Sequence, residues 1–154
     1  MFVLLNTLRR LRRQIALAPG DAGSVAVRHV DAGSCNGCEH ELGAAFGPHY
    51  DLGRHGINIV AAPRHADVLL VTGAVTTRME TSLRIAYAAM PEPRLVAAFG
   101  DCACGRGVLG SSEELAGAVG GLLPVDLEIP GCPPSPDVLE RCLLDARVAK
   151  KDQR

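Results

Sequence analysis

Cys35 and Cys38 form a C-x-x-C step within Asp31-Ala-Gly-Ser-Cys-Asn-Gly-Cys-Glu-His-Glu-Leu42. Thiolates are soft ligands for zinc, copper(I) and iron–sulfur clusters. Gly33 and Gly37 let the backbone around the two cysteines turn in ways other residues resist. Two further cysteine segments lie far downstream. Gly100-Asp-Cys-Ala-Cys104 offers Cys102 or Cys104, and Ile129-Pro-Gly-Cys-Pro-Pro134 offers Cys132. Together they would supply four thiolates, the ligand set of a [4Fe–4S] cluster. Four cysteines also suit a structural zinc ion in a binding module. Such zinc sites usually bring two C-x-x-C-like knuckles, whereas this chain has one, and ligands spread over three segments suit a cluster better.

All three segments need the same placement. Each follows a stretch that reads as a strand: Val25 to Val30, the apolar run Leu95 to Phe99, and Val125 to Ile129. Each then passes through a glycine and a cysteine toward a helix start. In an open parallel sheet, ligands bind in the crevice beyond the strand carboxyl ends. A short helix from about Cys38 to Phe46 would aim its free N–H groups and positive dipole end at the sulfurs. Ile57 to Ala61 and Asp67 to Gly73 supply two more strands, the latter apolar enough for burial on both faces.

Helices are predicted from Thr81 to Met90, ended by Pro91 and Pro93, and from Ser111 to Val119, capped by Ser111 or Ser112 with Glu113 and Glu114 in the first turn. A last helix, Ser135 to Ala149, carries Pro136 at its first position. The alternation predicts an α/β domain over residues 24–149, with a mainly parallel sheet and helices on both faces. Ahead of it, Leu4, Leu8, Leu11 and Ile15 share one helical face among Arg9, Arg10, Arg12 and Arg13. Residues 1–23 therefore read as an amphipathic helix and linker. That helix either packs on its own domain or docks on a partner or an anionic membrane surface. Residues 150–154 read as a frayed tail.

Composition narrows the classes. With 154 residues, 47% hydrophobic and only 3% aromatic, the chain must build an aliphatic core, and its size suits one domain. A net charge of −1 gives no sign of a nucleic-acid partner. Six cysteines in a chain with such a core, and with Phe2 to Leu5 too short for a secretory h-region, are expected to be liganded or buried thiols rather than disulfides. No run approaches the ~18 apolar residues of a membrane span.

Ser34-Cys-Asn-Gly-Cys-Glu-His-Glu41, the stretch from Pro63 to Thr76, Gly100-Asp-Cys-Ala103 and Ile129-Pro-Gly-Cys-Pro-Pro134 stand in a familiar order. In these motifs the chain resembles the small cluster-carrying subunit shared by respiratory complex I and membrane-bound energy-converting [NiFe]-hydrogenases. Within that family it is most similar to the formate hydrogenlyase and hydrogenase-4 small subunits, over residues 25–147. The resemblance implies a flavodoxin-like fold and one [4Fe–4S] cluster on Cys35, Cys38, Cys102 and Cys132. It implies electron transfer beside the active site of a large subunit, NiFe-hydrogenase-like or quinone-reducing, with no catalytic residues in this chain alone. The implied partners are that large subunit, a ferredoxin-like two-cluster subunit and membrane subunits. The implied location is peripheral, on the cytoplasmic face of the cell membrane. Complex I relatives carry adjacent cysteines at the first motif, so the C-x-x-C form favours the hydrogenase branch. Glu128 stands where relatives usually have a tyrosine, which counts against quinone chemistry, and Arg106 replaces a common glycine.

Several residues carry a plainer reading beside the functional one. Cys104 is an alternative third ligand, and Cys142 is expected to be a small buried apolar residue. Glu39 and Glu41 flank His40, and first-turn acids are common for dipole reasons alone. His29 is expected to be a strand histidine. Gly33, Gly37, Gly73, Gly100 and Gly131 either let backbone approach the cluster or serve as ordinary turn residues. A glycine-turn site for a phosphate-bearing cofactor ranks last, since no G-x-G-x-x-G follows the first strand.

Overall fold

The computed structural model describes residues 24–108 and 112–152. The amphipathic helix and linker expected over 1–23 lie outside them. Five parallel strands, β1 (Val25–Asp31), β2 (Ile57–Ile59), β3 (Val68–Thr72), β5 (Leu95–Phe99) and β7 (Leu127–Ile129), form one sheet in the order β2-β1-β3-β5-β7. Taken alone, these strands follow the 2-1-3-4-5 order of a flavodoxin-like sheet, with the switch point between β1 and β3. A small antiparallel ribbon, β4 (Val75–Thr76) with β6 (Leu115–Gly117), lies apart from it.

Side-chain alternation divides the core into two. Val68 and Leu70 of β3 and Ala97 and Phe99 of β5 meet helices α1 (Gly37–Ala45) and α3 (Pro136–Asp152), through Leu42, Ala45, Leu139 and Leu143. Leu69, Val71, Val96 and Ala98 face the other way. They pack with Leu83 of helix α2 (Thr77–Ala88), Val75 of the ribbon and Val119. Every residue of β3 is buried, which is why its sequence is an unbroken apolar run ending in Thr72.

One element differs in kind from the sequence reading. The helix expected from Ser111 to Val119 does not form where the chain is described. Leu115–Gly117 is a strand paired with β4, and Val119–Gly121 is a 3₁₀ turn. Gly117 sits at φ +119°, outside helical space, and two more glycines follow at 120 and 121. Ser112, expected as a cap, closes a turn instead: its Oγ accepts the Glu114 N–H at 3.2 Å and its carbonyl the Leu115 N–H at 3.0 Å. Other differences are of length. Helix α2 begins at Thr77 rather than Thr81, and α3 ends at Asp152 rather than Ala149. No helix among the described residues is long and apolar enough to cross a membrane.

Candidate metal centre

Past its last residue, β1 makes a tight polar turn. The Asp31 carboxylate accepts the N–H groups of Gly33 at 2.9 Å and Ser34 at 2.8 Å. Asn36, in the left-handed region at φ 69°, starts α1, a conformation asparagine tolerates better than most residues. Cys35 is exposed just before the helix, and Cys38 is half-buried in its first turn. The turn leans on β3: the Ala32 N–H reaches the Thr72 carbonyl at 3.0 Å, and the Thr76 N–H reaches the Ala32 carbonyl at 2.9 Å.

The other two cysteines sit on neighbouring strand ends, joined by main chain. The Gly100 N–H donates to the Ile129 carbonyl and the Asp101 N–H to the Gly131 carbonyl, both at 2.8 Å. The Asp101 carboxylate returns the tie by accepting the Gly131 N–H at 2.8 Å. Cys102 is thereby held half-buried beside the exposed Cys132.

These four thiols share one electrostatic neighbourhood. Burial chiefly pushes the Cys38 thiol up to about 12, and the charges of Glu39, Cys102, Cys35 and Cys132 add to it. Cys102 is raised by burial first, then by Cys132, Cys35 and Asp101. Cys104 and Cys142 stand outside this group. The Cys104 thiol packs with the core on the α2 side of the sheet, its Sγ 3.6 Å from the Ala98 carbonyl; burial and then Glu128 raise it. Cys142 packs half-buried against the α1/α3 core, raised by burial and then by Asp145, in keeping with the apolar role expected of it.

Glycines keep space clear around the sulfurs. A Cβ on Gly100, which stands at φ +96°, would lie 2.5 Å from the Cys38 Sγ. One on Gly107 would lie 2.7 Å from the Cys102 Cα and closer still to its Sγ. Gly100, for which turn and cluster roles are both open in the sequence, has a cysteine sulfur as its neighbour in space. Gly107 adds a role whose only mark in the sequence is its nearness to Cys102. Burial and the neighbouring thiols disfavour the free thiolates of Cys38 and Cys102, so these two suit a cationic centre whose binding displaces their protons. Among the described residues, no three His, Cys, Asp or Glu side chains form a group ready to hold a single metal ion. The fit rests on the donor chemistry and the cleared space.

Around the thiols, a second layer was only partly legible. Glu39 accepts the Ser34 hydroxyl at 2.7 Å and also the Thr72 hydroxyl, while His29 Nε2 lies 2.9 Å from Thr72 Oγ1. Arg106 and Glu128, the two departures from the resembled pattern, are ion-paired to each other at the surface, so Arg106 is not a lone charge.

The model of the NADH ubiquinone oxidoreductase 20 Kd subunit family matches residues 35–146, from the first cysteine into α3. The chain belongs to that family. Its relatives within the 20 Kd subunit family include the probable membrane-bound hydrogenase subunit mbhJ of Pyrococcus furiosus, 42% identical over 85% of this chain and 79% of the relative. Formate hydrogenlyase subunit 7 of Escherichia coli is also 42% identical, over 73% of this chain but only 44% of that protein. A chain of the archaeal membrane-bound sulfane sulfur reductase superposes with a TM-score of 0.70 at 28% identity, covering 82% of this chain and 70% of that one. A chain of an NAD+-reducing [NiFe]-hydrogenase shares the fold, with a TM-score of 0.66 at 18% identity over 82% and 92% of the two chains. Relatives of this chain are thus subunits of hydrogenase and NADH-quinone oxidoreductase complexes, and two of the similar proteins are named as membrane-bound.

Proposed function

We propose that the chain carries one [4Fe–4S] cluster on Cys35, Cys38, Cys102 and Cys132 and relays electrons within a membrane-bound hydrogenase or complex I-like oxidoreductase. The observation that carries this reading is the convergence of three cysteine-bearing turns at the carboxyl ends of parallel strands, where Cys35 and Cys132 act on the thiols of Cys38 and Cys102 and Gly100 and Gly107 keep side chains away from two of the sulfurs. When bound, such a cluster supplies a one-electron acceptor and donor. The chain's own residues would hold the four sulfurs, shield Cys38 and Cys102, and set the charge around them.

The exposed Cys35 and Cys132 favour a site completed by a large subunit, NiFe-hydrogenase-like or quinone-reducing, with a ferredoxin-like two-cluster subunit as the other electron partner. The C-x-x-C step and the relatives named as hydrogenase and formate hydrogenlyase subunits favour the hydrogenase branch. The proposed seat of the complex is the cytoplasmic face of the cell membrane, with residues 1–16 docking on a membrane subunit or the headgroup surface.

Replacing Cys35, Cys38, Cys102 or Cys132 by Ser should each sharply lower iron and sulfide content in anaerobically purified protein, while Cys104→Ser and Cys142→Ser should not. Zinc in place of iron, or a cluster lost with Cys104 but kept without Cys102, would overturn the assignment. Deleting residues 2–16 should leave iron content unchanged and shift the protein from the membrane to the soluble fraction. Loss of the cluster on deletion would make that segment part of the domain's own core.

A further inference from the structure

Glu39 follows Cys38 directly, and a first-turn acid needs no explanation beyond the helix dipole. Its contacts go further. As a carboxylate it is acceptor-only, and its two oxygens take hydroxyl protons from two different elements: Ser34 in the cysteine turn at 2.7 Å, and Thr72 at the end of β3. Having donated its proton to Glu39, Thr72 Oγ1 must accept in its 2.9 Å contact with His29 Nε2. That fixes His29 as the Nε2–H tautomer, donating from β1. Burial, the largest influence on this imidazole, lowers its pKa and favours the neutral ring. Ser34 Oγ in turn accepts the Asn36 N–H at 3.1 Å, inside the C-x-x-C step itself. Strand alternation explains how these groups meet. His29 lies on the same face of β1 as Val25 and Val27, and Thr72 on the same face of β3 as Val68 and Leu70, so both turn toward α1. The apolar face thus becomes polar at its carboxyl end.

We infer that Glu39 is a positioning residue of this site, binding the Cys35–Cys38 turn to the end of β3 through Ser34 and Thr72 and setting a fixed negative charge beside the sulfurs. The inference rests on the cluster reading given under Proposed function. Hydrogen bonds to an ionised acceptor are roughly twice as strong as neutral ones, so this pair ranks with the two N–H bonds that the Asp31 carboxylate takes within the turn, and it alone ties the turn's side chains to β3. A negative charge beside the cluster disfavours an added electron, so Glu39 should hold the potential low.

The test compares the full-length protein, purified anaerobically with its cluster, with four variants. Glu39→Gln keeps the size and removes the charge; iron content and the electron paramagnetic resonance spectrum of the reduced protein should stay near wild type while the midpoint potential moves positive. Glu39→Ala should show the same positive shift, an altered spectrum, and iron loss to EDTA about tenfold faster. Thr72→Val should alter the spectrum and speed iron loss without the positive shift, and Thr72→Ser should restore both. A purely structural role would leave the potential where it was. Wild-type potential in Glu39→Gln, or wild-type spectrum and iron retention in Glu39→Ala, would overturn the inference. If the wild-type protein itself bound no iron, the cluster reading would fail and take the inference with it; iron-loaded wild type with unresponsive variants removes the inference alone.

Discussion

The turn bearing Cys35 and Cys38 and the paired turns bearing Cys102 and Cys132 reach the same place by different means. In the first, side chains do most of the holding: Asp31 accepts two N–H groups, and Glu39 gathers hydroxyls from Ser34 and Thr72. In the second, the sheet simply continues. Gly100 and Asp101 donate to the carbonyls of Ile129 and Gly131, and one carboxylate, Asp101, reinforces them. A side-chain frame can be altered an atom at a time without displacing the chain. A main-chain frame tolerates most side-chain changes and fails where a side chain is added to a glycine.

That difference is sharpest at Gly100. In Gly100→Ala, the new Cβ would sit 2.5 Å from the Cys38 Sγ on a backbone at φ +96° that disfavours any side chain. The least costly escape is to rotate the Cys38 thiol away, so the variant should fold yet hold little iron, measured against circular dichroism of the same sample. Retention of wild-type iron would show that the two cysteine regions are not in contact as described. Asp101→Ala breaks the one carboxylate tie in the main-chain frame and leaves the Gly131 N–H without its acceptor. Chemical denaturation should show a loss of about 1–3 kcal/mol, larger than for Asp101→Asn, whose side-chain oxygen can still accept. Gly43, in α1 with Cys38, has nothing within 4 Å of an added Cβ and no positive φ. Gly43→Ala should therefore raise stability by about 0.5–1 kcal/mol with iron content unchanged. The same glycine-to-alanine change would then have opposite outcomes at the two ends of one site, and a loss of iron in Gly43→Ala would blur that contrast.

The strands were legible because burial on both faces writes continuous apolar runs, and Val68 to Thr72 and Leu95 to Phe99 carry the centre of the sheet. Cys102 was legible because it follows such a run, whereas Cys35 and Cys132 follow stretches interrupted by Arg28 and His29 and by Asp126 and Glu128 and were marked out by their glycine turns. The region after Cys104 was not. Ser112 followed by Glu113 and Glu114 imitates a helix start, while the deciding features are Gly117 and a two-residue partner strand, Val75–Thr76, too short to leave a pattern of its own. The tie from Glu39 was invisible for another reason. Its members stand at positions 29, 34, 39 and 72, with no shared spacing, and only the parallel register of β1 on β3 brings them together.

The strand order also governs when this site can exist in a chain still being made. β1, β3 and β5 lie side by side in the order of synthesis, but β7, last of the five to emerge, takes the outer edge beyond β5. A nascent chain that ends between Cys102 and β7 already holds β1, β2, β3 and β5 with Cys35, Cys38 and Cys102, yet it lacks Cys132 and the strand that precedes it. Its α1 would also wait for α3, which follows β7, to cover the same face of the sheet. Assembly of the proposed four-thiol site therefore comes only once Cys132 has left the ribosome, and any metal delivered earlier would meet an incomplete donor set.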